Sequence, residues 1–512
     1  MKSRILSRIT PPVLAIILSL LLGVRSHAQE GSPCGCPDPA RNVVITNPNG
    51  QTLTQLQTQY PFFAGISMSN TCISIQGKLL IDKTFTIAGG EIIMLPGAEI
   101  SVYSSRTFTL QNVDQNGGMH GCTAMWKGMF IGGQTAQVHI LNSTVQDAQF
   151  AVGSNKRFGT IRAEESTFMN NSTSIRLWPS INAGPSFNST TLALTGNLFT
   201  TNQQYLPGYA GQVPDPANDF MRGIAIWTET STGVGVGRMG QAANVFDGVT
   251  VGILSFNSKV TARNNIFRNI GFDLGGVLQY STNVGLAIRA EQGNNGYQAH
   301  SLLASDNTFD NCSLGIRAVN TPTIIERNSF TSCKFGISIH DPINRSIQIH
   351  DNPNIHSCLG IGITGTGPAQ QIHIGGNKLN ISSSFTTSNA GIMGMFLTPW
   401  NGTFGNNVLV EDNTVNCLGN HISFQTQGGI TIGGTPGVVR RCTINIHGSA
   451  YNSYGLNAYG ATGVILEYNK VSKITQVFTR GVLISSSPNT LVKCNDLKAT
   501  ECLSVWGSSD CV

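Results

Sequence analysis

The stretch that decides the fold is TIIERNSFTSCKFGISIH, residues 323–340, because it repeats the pattern of the stretch before it. LLASDNTFDNCSLGIRAV, residues 302–319, has the same order of two apolar residues, a polar pair, Asn, any residue, Phe, then Cys and Gly-Ile. The two asparagines, Asn307 and Asn328, are 21 residues apart. A fixed spacing in this range is typical of solenoids, in which one short unit is stacked many times.

The repeat extends well beyond these two copies. Residues around each Asn alternate between apolar and polar, which indicates strands, and no stretch after residue 40 shows a sustained apolar stripe with helical spacing. No unit could bury its apolar side alone, so stacking must build a shared core. We therefore predict an all-β, single-domain, right-handed parallel β-helix of roughly 15–17 coils.

The recurring Asn predicts a structural ladder along the stack. Asn tolerates the left-handed backbone of a sharp turn, and its amide can bond the same group one coil away. The Phe two residues later is expected in the core, and Cys312, Cys333 and Cys358 are expected as a buried stack. The ladder residues are Asn265, Asn307, Asn328, Asn377, Asn413, Asn469 and Asn495.

The first residues read as a secretory signal peptide. A basic start and a short apolar run precede the small residues SHA, which predicts cleavage near Ala28. We expect residues 1–28 to be the signal peptide, 29–75 an N-terminal lead-in and cap, and 76–512 the β-helix. The mature chain is then secreted and extracellular, in a bacterium with Sec export, without a transmembrane segment.

Composition and cysteines restrict the partners. A net charge of +5 over 512 residues, without a basic stripe, argues against nucleic acid. No paired Cys-x-x-Cys motif of a zinc site occurs, so we expect no metal and no cofactor. Export permits disulfides, and Cys502 with Cys511 is one candidate pair, although spacing leaves the connectivity open. We expect a monomer.

The repeats resemble the PbH1 coils of the pectin-lyase-like superfamily. LPGAEI at 95–100, HGCTAMWKGMFIGG at 120–133 and HILNSTVQDAQFAV at 139–152 are similar to secreted right-handed β-helix proteins of Bacteroidetes-type bacteria. The resemblance implies the fold and not one activity. The C-terminal sorting domain that such proteins often carry is not recognised after the last coil, so anchoring by that route is not implied.

Lengthened coils are the places where function is expected on a solenoid. Insertions at 201–222 and 271–282 belong to coils only two apart, so they could meet on one rim, and a third lies at 380–389. Aromatic faces beside carboxylates suit a sugar polymer. The alternative is that these are solvated loops whose Tyr residues cover the core. The candidate glycan-binding residues are Tyr205, Tyr209, Asp215, Asp219, Asp273 and Tyr280.

Two function classes stay open beside a purely structural adhesion rod. The first is a non-catalytic secreted or cell-surface module that binds extracellular polysaccharide or matrix. The second is a polysaccharide lyase or glycoside hydrolase of the pectin-lyase-like type, for which a lyase would need Ca²⁺. Asp-Asp, Asn-Thr-Asp and Arg-Ile-Lys, which the superfamily's galacturonan hydrolases share, do not occur. This favours the binding module and names no catalytic residue.

Overall fold

The computed structural model describes most of the chain from Cys34 onward. The described residues are 34–156, 158–179, 188–202, 204–209, 223–271, 285–293, 300–382, 392–401, 403–405, 407–418, 427–447, 453–474, 478–509 and 511. Within these ranges, no helix is long and apolar enough to cross a membrane.

Parallel strands dominate the structure and confirm the predicted parallel β-helix. Each coil carries a strand on face A, a strand on face B that follows the repeat Asn, and a strand on face C that contains Gly-Ile. Every strand pairs in parallel with the equivalent strand of the next coil, as β23 (Asn265–Arg268) pairs with β26 (Thr308–Asp310). The coils therefore follow one another in register along the stack.

The strands on face A lie before the repeat Asn of each coil, and the last ten of them form a separate ten-stranded sheet. They are β7 (Thr107–Gln111), β10 (Gln137–Leu141), β13 (Thr160–Glu164), β16 (Thr191–Thr195), β19 (Val234–Val236), β22 (Lys259–Arg263), β25 (Ser301–Ser305), β28 (Thr323–Glu326), β30 (Ser346–His350), β32 (Gln371–Gly375), β35 (Val408–Glu411), β38 (Gly437–Arg440), β41 (Val464–Glu467) and β44 (Leu491–Lys493).

Face B carries the Asn-x-Phe half of the repeat. Its remaining strands are β1 (Asn42–Val44), β8 (Met119–Gly121), β11 (Thr144–Gln146), β14 (Thr167–Met169), β17 (Leu198–Thr200), β20 (Asn244–Asp247), β33 (Lys378–Ile381), β36 (Thr414–Cys417), β39 (Thr443–Ile446), β42 (Lys470–Lys473) and β45 (Asp496–Lys498). Four longer strands bend across two faces: β3 (Ser67–Gln76) and β5 (Phe85–Met94) join A to B, and β29 (Ser329–His340) and β31 (Asn354–Thr366) join B to C.

Face C carries the Gly-Ile half. Its strands are β2 (Gln51–Thr52), β4 (Lys78–Ile81), β6 (Glu99–Val102), β9 (Trp126–Ile131), β12 (Ala148–Ser154), β15 (Thr173–Leu177), β18 (Ile224–Glu229), β21 (Val251–Phe256), β24 (Leu286–Glu291), β27 (Leu314–Val319), β34 (Ile392–Asn401), β37 (Gln427–Gly433), β40 (Ser453–Tyr459), β43 (Thr479–Ser485) and β46 (Glu501–Trp506).

Short helices cover the N-terminal end of the core. Helix α1 (Leu53–Leu56) starts with a capping box formed by Thr52 and Gln55, and its two leucines are buried. The 3₁₀ turn Pro61–Phe63 adds the buried ring of Phe63. Two further 3₁₀ turns are Pro39–Arg41 and Gln115–Gly117. The segment before β3 thus shields apolar residues that a first coil would otherwise expose.

A column of phenylalanines fills the core below face B. Successive rings of Phe168, Phe199, Phe246, Phe267, Phe309 and Phe330 stack with centroids 4.6–5.0 Å apart, each pair within 11° of parallel. That spacing is the distance between neighbouring strands, so the ladder of backbone bonds sets the stacking. From Ile355 onward the same column becomes aliphatic.

The asparagine ladder forms as predicted. Nδ2 of Asn307 donates to Oδ1 of Asn328 over 3.0 Å, and Nδ2 of Asn328 donates to Oδ1 of Asn352 over 3.2 Å. The ladder residues before Asn495 are buried, so these bonds satisfy amides that water cannot reach. The same bond joins Asn197–Asn244, Asn244–Asn265, Asn265–Asn307, Asn352–Asn377, Asn377–Asn413 and Asn469–Asn495.

One detail of the ladder, the position of the left-handed residue, differs from the sequence prediction. The left-handed residue of each corner precedes the ladder Asn, as at Asp306 with φ 58° and Arg327 with φ 53°. The sharp turn therefore falls one position earlier, where it leaves the Asn side chain pointing inward. Cys442 takes one ladder place, and its thiol lies 3.9 Å from Nδ2 of Asn413.

The cysteines divide into paired and free groups. Disulfides Cys34–Cys122 and Cys36–Cys72 fasten the N-terminal segment to the first coils. The expected stack of Cys312, Cys333 and Cys358 is buried, and these cysteines form no disulfide. The Cys502–Cys511 candidate is wrong, because both thiols are free in the structure.

Candidate functional site

Face C is bordered by the long connections of the solenoid. The corner between faces A and B is tight: only one residue separates β22 from β23. Connections at both edges of face C are longer, as between β17 and β18, between β23 and β24, and between β24 and β25. Since binding residues on solenoids concentrate beside such insertions, face C is the candidate site.

The sequence-predicted residues fall only partly within the described ranges. Asp215, Asp219, Asp273 and Tyr280 lie outside the described residues. The other two candidates, Tyr205 and Tyr209, belong to the segment 204–209 that follows β17. The proposed meeting of carboxylates and tyrosines on one rim therefore stays a prediction.

Tyr205 and Tyr209 lie against different coils. The Tyr205 hydroxyl lies directly against Gly223, beside β18, where any side chain in place of the glycine would clash with it. The Tyr209 ring lies against Gly97, just before β6; a Cβ added to this glycine would be 3.0 Å from the ring. The Tyr209 hydroxyl donates to Oε1 of Gln149 over 2.8 Å, and burial, with the nearby Glu99 carboxylate, raises the pKa of Tyr209. Tyr209 thus packs over the wall of the coils.

The segment 204–209 also covers a buried charged group. The Pro207 carbonyl accepts the Met125 N–H over 2.8 Å, and Leu206 packs beside Gly121. Under this segment, burial raises the pKa of Asp147 to about 7, although His120 opposes the shift. His120 in turn lies 3.0 Å from Glu91 through Nε2. Asp147 and His120 are buried, so they do not face a ligand.

Aromatic rings and arginine line the N-terminal half of face C. The rings of Phe130, Phe150 and Trp178 approach one another with centroids 5.9–6.5 Å apart. The Arg176 guanidinium lies 3.1 Å from the Trp227 ring centroid and pairs with Glu229 over 3.0 Å. Stacked and paired in this way, Arg176 is fixed in one position.

A second apolar cluster lies on the outside of face C. It consists of Ile224, Trp227, Val251, Leu254 and Leu286, all buried and separate from the main core. Sequence reasoning missed it, since these residues hold outward positions that a one-sided strand pattern assigns to solvent. The apolar residues of GIAIW at 223–227 and GILSF at 252–256 could have indicated this cluster, because they occupy both sides of the strand.

One column of outward-pointing residues, which are register partners in successive coils, runs along face C. Arg176 and Trp227 are register partners, and Arg289 and Arg317 follow in the same column on β24 and β27. Glu291 binds Arg289 over 2.6 Å. The column then reaches Ser338 on β29. Three arginines thus share this column, in which Arg176 and Arg289 are ion-paired and Trp227 is buried.

Ser338 of this column belongs to a group of two hydroxyls and one imidazole, which His340 and Thr364 complete. Ser338 Oγ lies 2.9 Å from His340 Nε2, and Thr364 Oγ1 lies 3.0 Å from His340 Nδ1. Burial, followed by the charge of Arg317, lowers the pKa of His340, so its imidazole is neutral at pH 7. The Trp400 ring, 62% exposed, lies with its centroid 6.2 Å from that of His340.

Other sequence candidates have structural positions. Trp126 is fully buried and donates from Nε1 to the Gln146 carbonyl over 2.8 Å, in line with the structural role that its strand-like setting favours. Glu411 and Arg440 pair over 2.8 Å on face A, as Glu467 and Lys493 do, so ion pairs join neighbouring coils there. Among the described residues, no group of three His, Cys, Asp or Glu is arranged to hold a metal ion.

Comparison with known proteins gives no further guide. No protein-family model, no curated protein and no solved structure matches the chain. The parallel β-helix therefore rests on the strand pairing itself, and the function has to be argued from face C.

Proposed function

We propose that the chain is a secreted or cell-surface β-helix protein that binds an extended glycan or matrix polymer along face C. The observation that carries this proposal is the combination on face C of the partly exposed Arg317 with the exposed ring of Trp400, between two rows of long connections. Sugar rings stack on aromatic faces, and arginine recognises carboxylates and sulfates through its planar fork of donors. An acidic polysaccharide is the best match.

The regular spacing of the coils supports a polymer rather than a small molecule. Each coil advances the column by one strand spacing, about 4.8 Å. Arg289 and Arg317 are register partners one coil apart, and Arg317 is the more exposed of the two, since Arg289 is buried and paired with Glu291. A chain of repeating sugars can meet such repeated groups, whereas a monomeric ligand could use only one or two of them.

The test is retention of polysaccharides by the mature chain that starts at Gln29. A panel of acidic and neutral polymers would be presented in a pull-down and by calorimetry. We expect one acidic polymer to be retained, and Trp400→Ala to weaken its binding by about tenfold, since a stacking contact contributes about 1–2 kcal/mol. Tyr468→Asn is the matched control, because Tyr468 is an exposed aromatic at the corner of faces A and B.

The same experiment separates the alternatives. New reducing ends or unsaturated products from a retained polymer would establish the lyase or glycoside hydrolase, with Asp215, Asp219 and Asp273 as the first residues to replace. No retention of any polymer, by the wild type and by the control alike, would contradict the proposal and leave the adhesion rod.

A further inference from the structure

We propose that Ser338 is the nucleophile of an ester-hydrolysing site on face C, with His340 as its general base. Both residues lie on β29, two positions apart, so both side chains leave the same side of the strand. The Ser338 hydroxyl is 2.9 Å from His340 Nε2. Both side chains are partly exposed on face C, where a ligand can reach them.

Thr364 completes the arrangement as a positioning residue. It is the register partner of His340 on β31, and its hydroxyl lies 3.0 Å from His340 Nδ1. When Nδ1–H donates to Thr364, Nε2 is left to accept the Ser338 proton. A nucleophile, a base and a group that orients the base, each within hydrogen-bond reach, are the geometric signature of an activated serine.

The charges around His340 favour the neutral base. Arg317 on β27 is the register partner of Ser338, and its positive charge opposes protonation of the imidazole. Asp341 and Glu291 act in the opposite direction and are outweighed by burial and Arg317. Arg317 is also placed to stabilise negative charge that develops next to Ser338 in a reaction.

The side of Ser338 opposite Arg317 carries no side chain. The partner of Ser338 in the next coil is Gly362. A Cβ built at Gly362 would lie 3.3 Å from Leu359 Cδ2, which is a tight contact, so a larger residue would crowd this place. An ester would therefore approach the partly exposed Ser338 over Gly362, with the exposed ring of Trp400 near His340.

The reaction is an ordinary two-step acyl transfer. Ser338 Oγ adds to the ester carbonyl carbon while its proton passes to His340 Nε2, and the carbonyl electron pair moves onto the oxygen. When the carbonyl re-forms, the bond to the alcohol oxygen breaks, and the alcohol leaves with the proton from His340. Water then adds to acyl-Ser338 in the same way, and a carboxylic acid is released as Ser338 recovers its proton.

The substrate class rests on the proposed function. An O-acyl ester carried by a polysaccharide on face C would bring its carbonyl to Ser338, so the expected substrate is an acylated glycan. The nucleophile itself does not depend on glycan binding. It would make the chain an enzyme, in contrast to the expected non-catalytic module, but of a class that breaks no glycosidic bond.

The test uses the mature chain with small probes that need no polysaccharide. A fluorophosphonate probe should label Ser338, identified by peptide mass spectrometry, and p-nitrophenyl acetate should be hydrolysed. Ser338→Ala and His340→Asn should each lower the rate about 100-fold or more. Ser504→Ala is the control, because Ser504 is a buried serine on β46 with no His two positions later, and it should leave the rate unchanged.

Two further readouts separate catalysis from a structural role. The wild-type rate should rise with pH through a midpoint below about 6.5, the ordinary value for histidine, because His340 must be neutral to act. Thr364→Asp should raise the rate, since a carboxylate orients and stabilises the imidazolium better than a hydroxyl. An unchanged rate in Thr364→Asp would overturn the positioning role of Thr364.

The outcomes distinguish this inference from glycan binding. The proposal that Ser338 is a nucleophile would be overturned if Ser338 is not labelled and the wild type hydrolyses the ester no faster than Ser338→Ala. Retention of polysaccharides by the wild type and by Ser338→Ala is measured separately and tests the binding proposal. Labelled Ser338 without retention of any polysaccharide would overturn the binding proposal and keep the esterase. Circular dichroism of each variant checks that the coils remain folded.

Discussion

A single ladder asparagine serves several coils at once. Nδ2 of Asn328 donates to Asn352 Oδ1 and to the Ala304 and Glu326 carbonyls, and Oδ1 accepts both N–H donors of Asn307. All of these groups are removed from water. The residue therefore ties its own corner to the corners before and after it, and truncation leaves polar groups on both sides without partners.

Asn328→Ala should therefore lower the free energy of unfolding by about 3 kcal/mol, because several buried polar groups lose their partners at once. Urea unfolding followed by circular dichroism measures the change. Asn354→Ala is the matched control: Asn354 bonds Asn380 and Phe330 in a partly exposed amide row on the outside of face B. We expect about 1 kcal/mol or less there, since water can replace the lost bonds. Equal losses of unfolding free energy in Asn328→Ala and Asn354→Ala would contradict a special contribution of the buried ladder to stability.

At the scale of the element, the stacked strands determine how core residues pack. Phe267 lies between Phe246 and Phe309, with ring centroids 4.6 and 5.0 Å away. In later coils the same position holds Ile355 and Leu379. The strand geometry thus accepts aromatic and aliphatic residues alike, provided that the volume between neighbouring coils is filled.

Phe267→Ala should cost about 3–5 kcal/mol, because a cavity opens between two fixed rings. Phe267→Leu should cost much less, about 1 kcal/mol, as expected from the small loss of buried apolar surface and from the aliphatic coils further along. The comparison of the two variants in urea unfolding is the measurement. Similar losses for Ala and Leu would show that ring stacking, and not filled volume, stabilises this part of the core.

The elements also show what sequence could predict. The Asn307 and Asn328 copies repeat within the same coil length, so their ladder, the Phe column and the parallel strands followed directly from the spacing. The left-handed residue was misplaced by one, because Asn is favoured at such turns and Arg327 is not. The Ser338–His340–Thr364 group was missed, since its register across two coils depends on the length of the intervening connections, which vary along the chain.

At the scale of the whole molecule, each coil contacts mainly its neighbours, so stability is distributed along the axis. Near the N-terminus, the Cys34–Cys122 disulfide closes a sequence separation of 88 residues, and Cys36–Cys72 closes 36. Both restrain the segment that covers the first coils. The N-terminal end is therefore stabilised by disulfides, whereas no disulfide joins the later coils within the described residues.

Reduction should consequently loosen the N-terminal end alone. We expect hydrogen exchange of residues 42–76 to speed up in dithiothreitol, because each native disulfide contributes about 2–5 kcal/mol. Exchange of β28 to β41 should remain unchanged, since those coils are held by neighbours and not by the disulfides. Cys34→Ser with Cys122→Ser should reproduce the effect without reductant. Loss of protection along the whole chain would indicate a single cooperative unit instead.

The amide ladder also gives the rod a direction of growth. Asn265, Asn307 and Asn328 each donate toward the following coil and accept from the preceding one. A tandem copy of one 21-residue unit, such as the one between Asn307 and Asn328, brings a donor and an acceptor in the correct order. A segment that enters in another register would interrupt the sequence of amides, and Cys442 interrupts it in register because a thiol replaces the amide. Duplication of whole coils is thus the change in length that this molecule accommodates most readily, and neighbouring repeats that share Asn, Phe, Cys and Gly-Ile at fixed places are what such a history leaves behind.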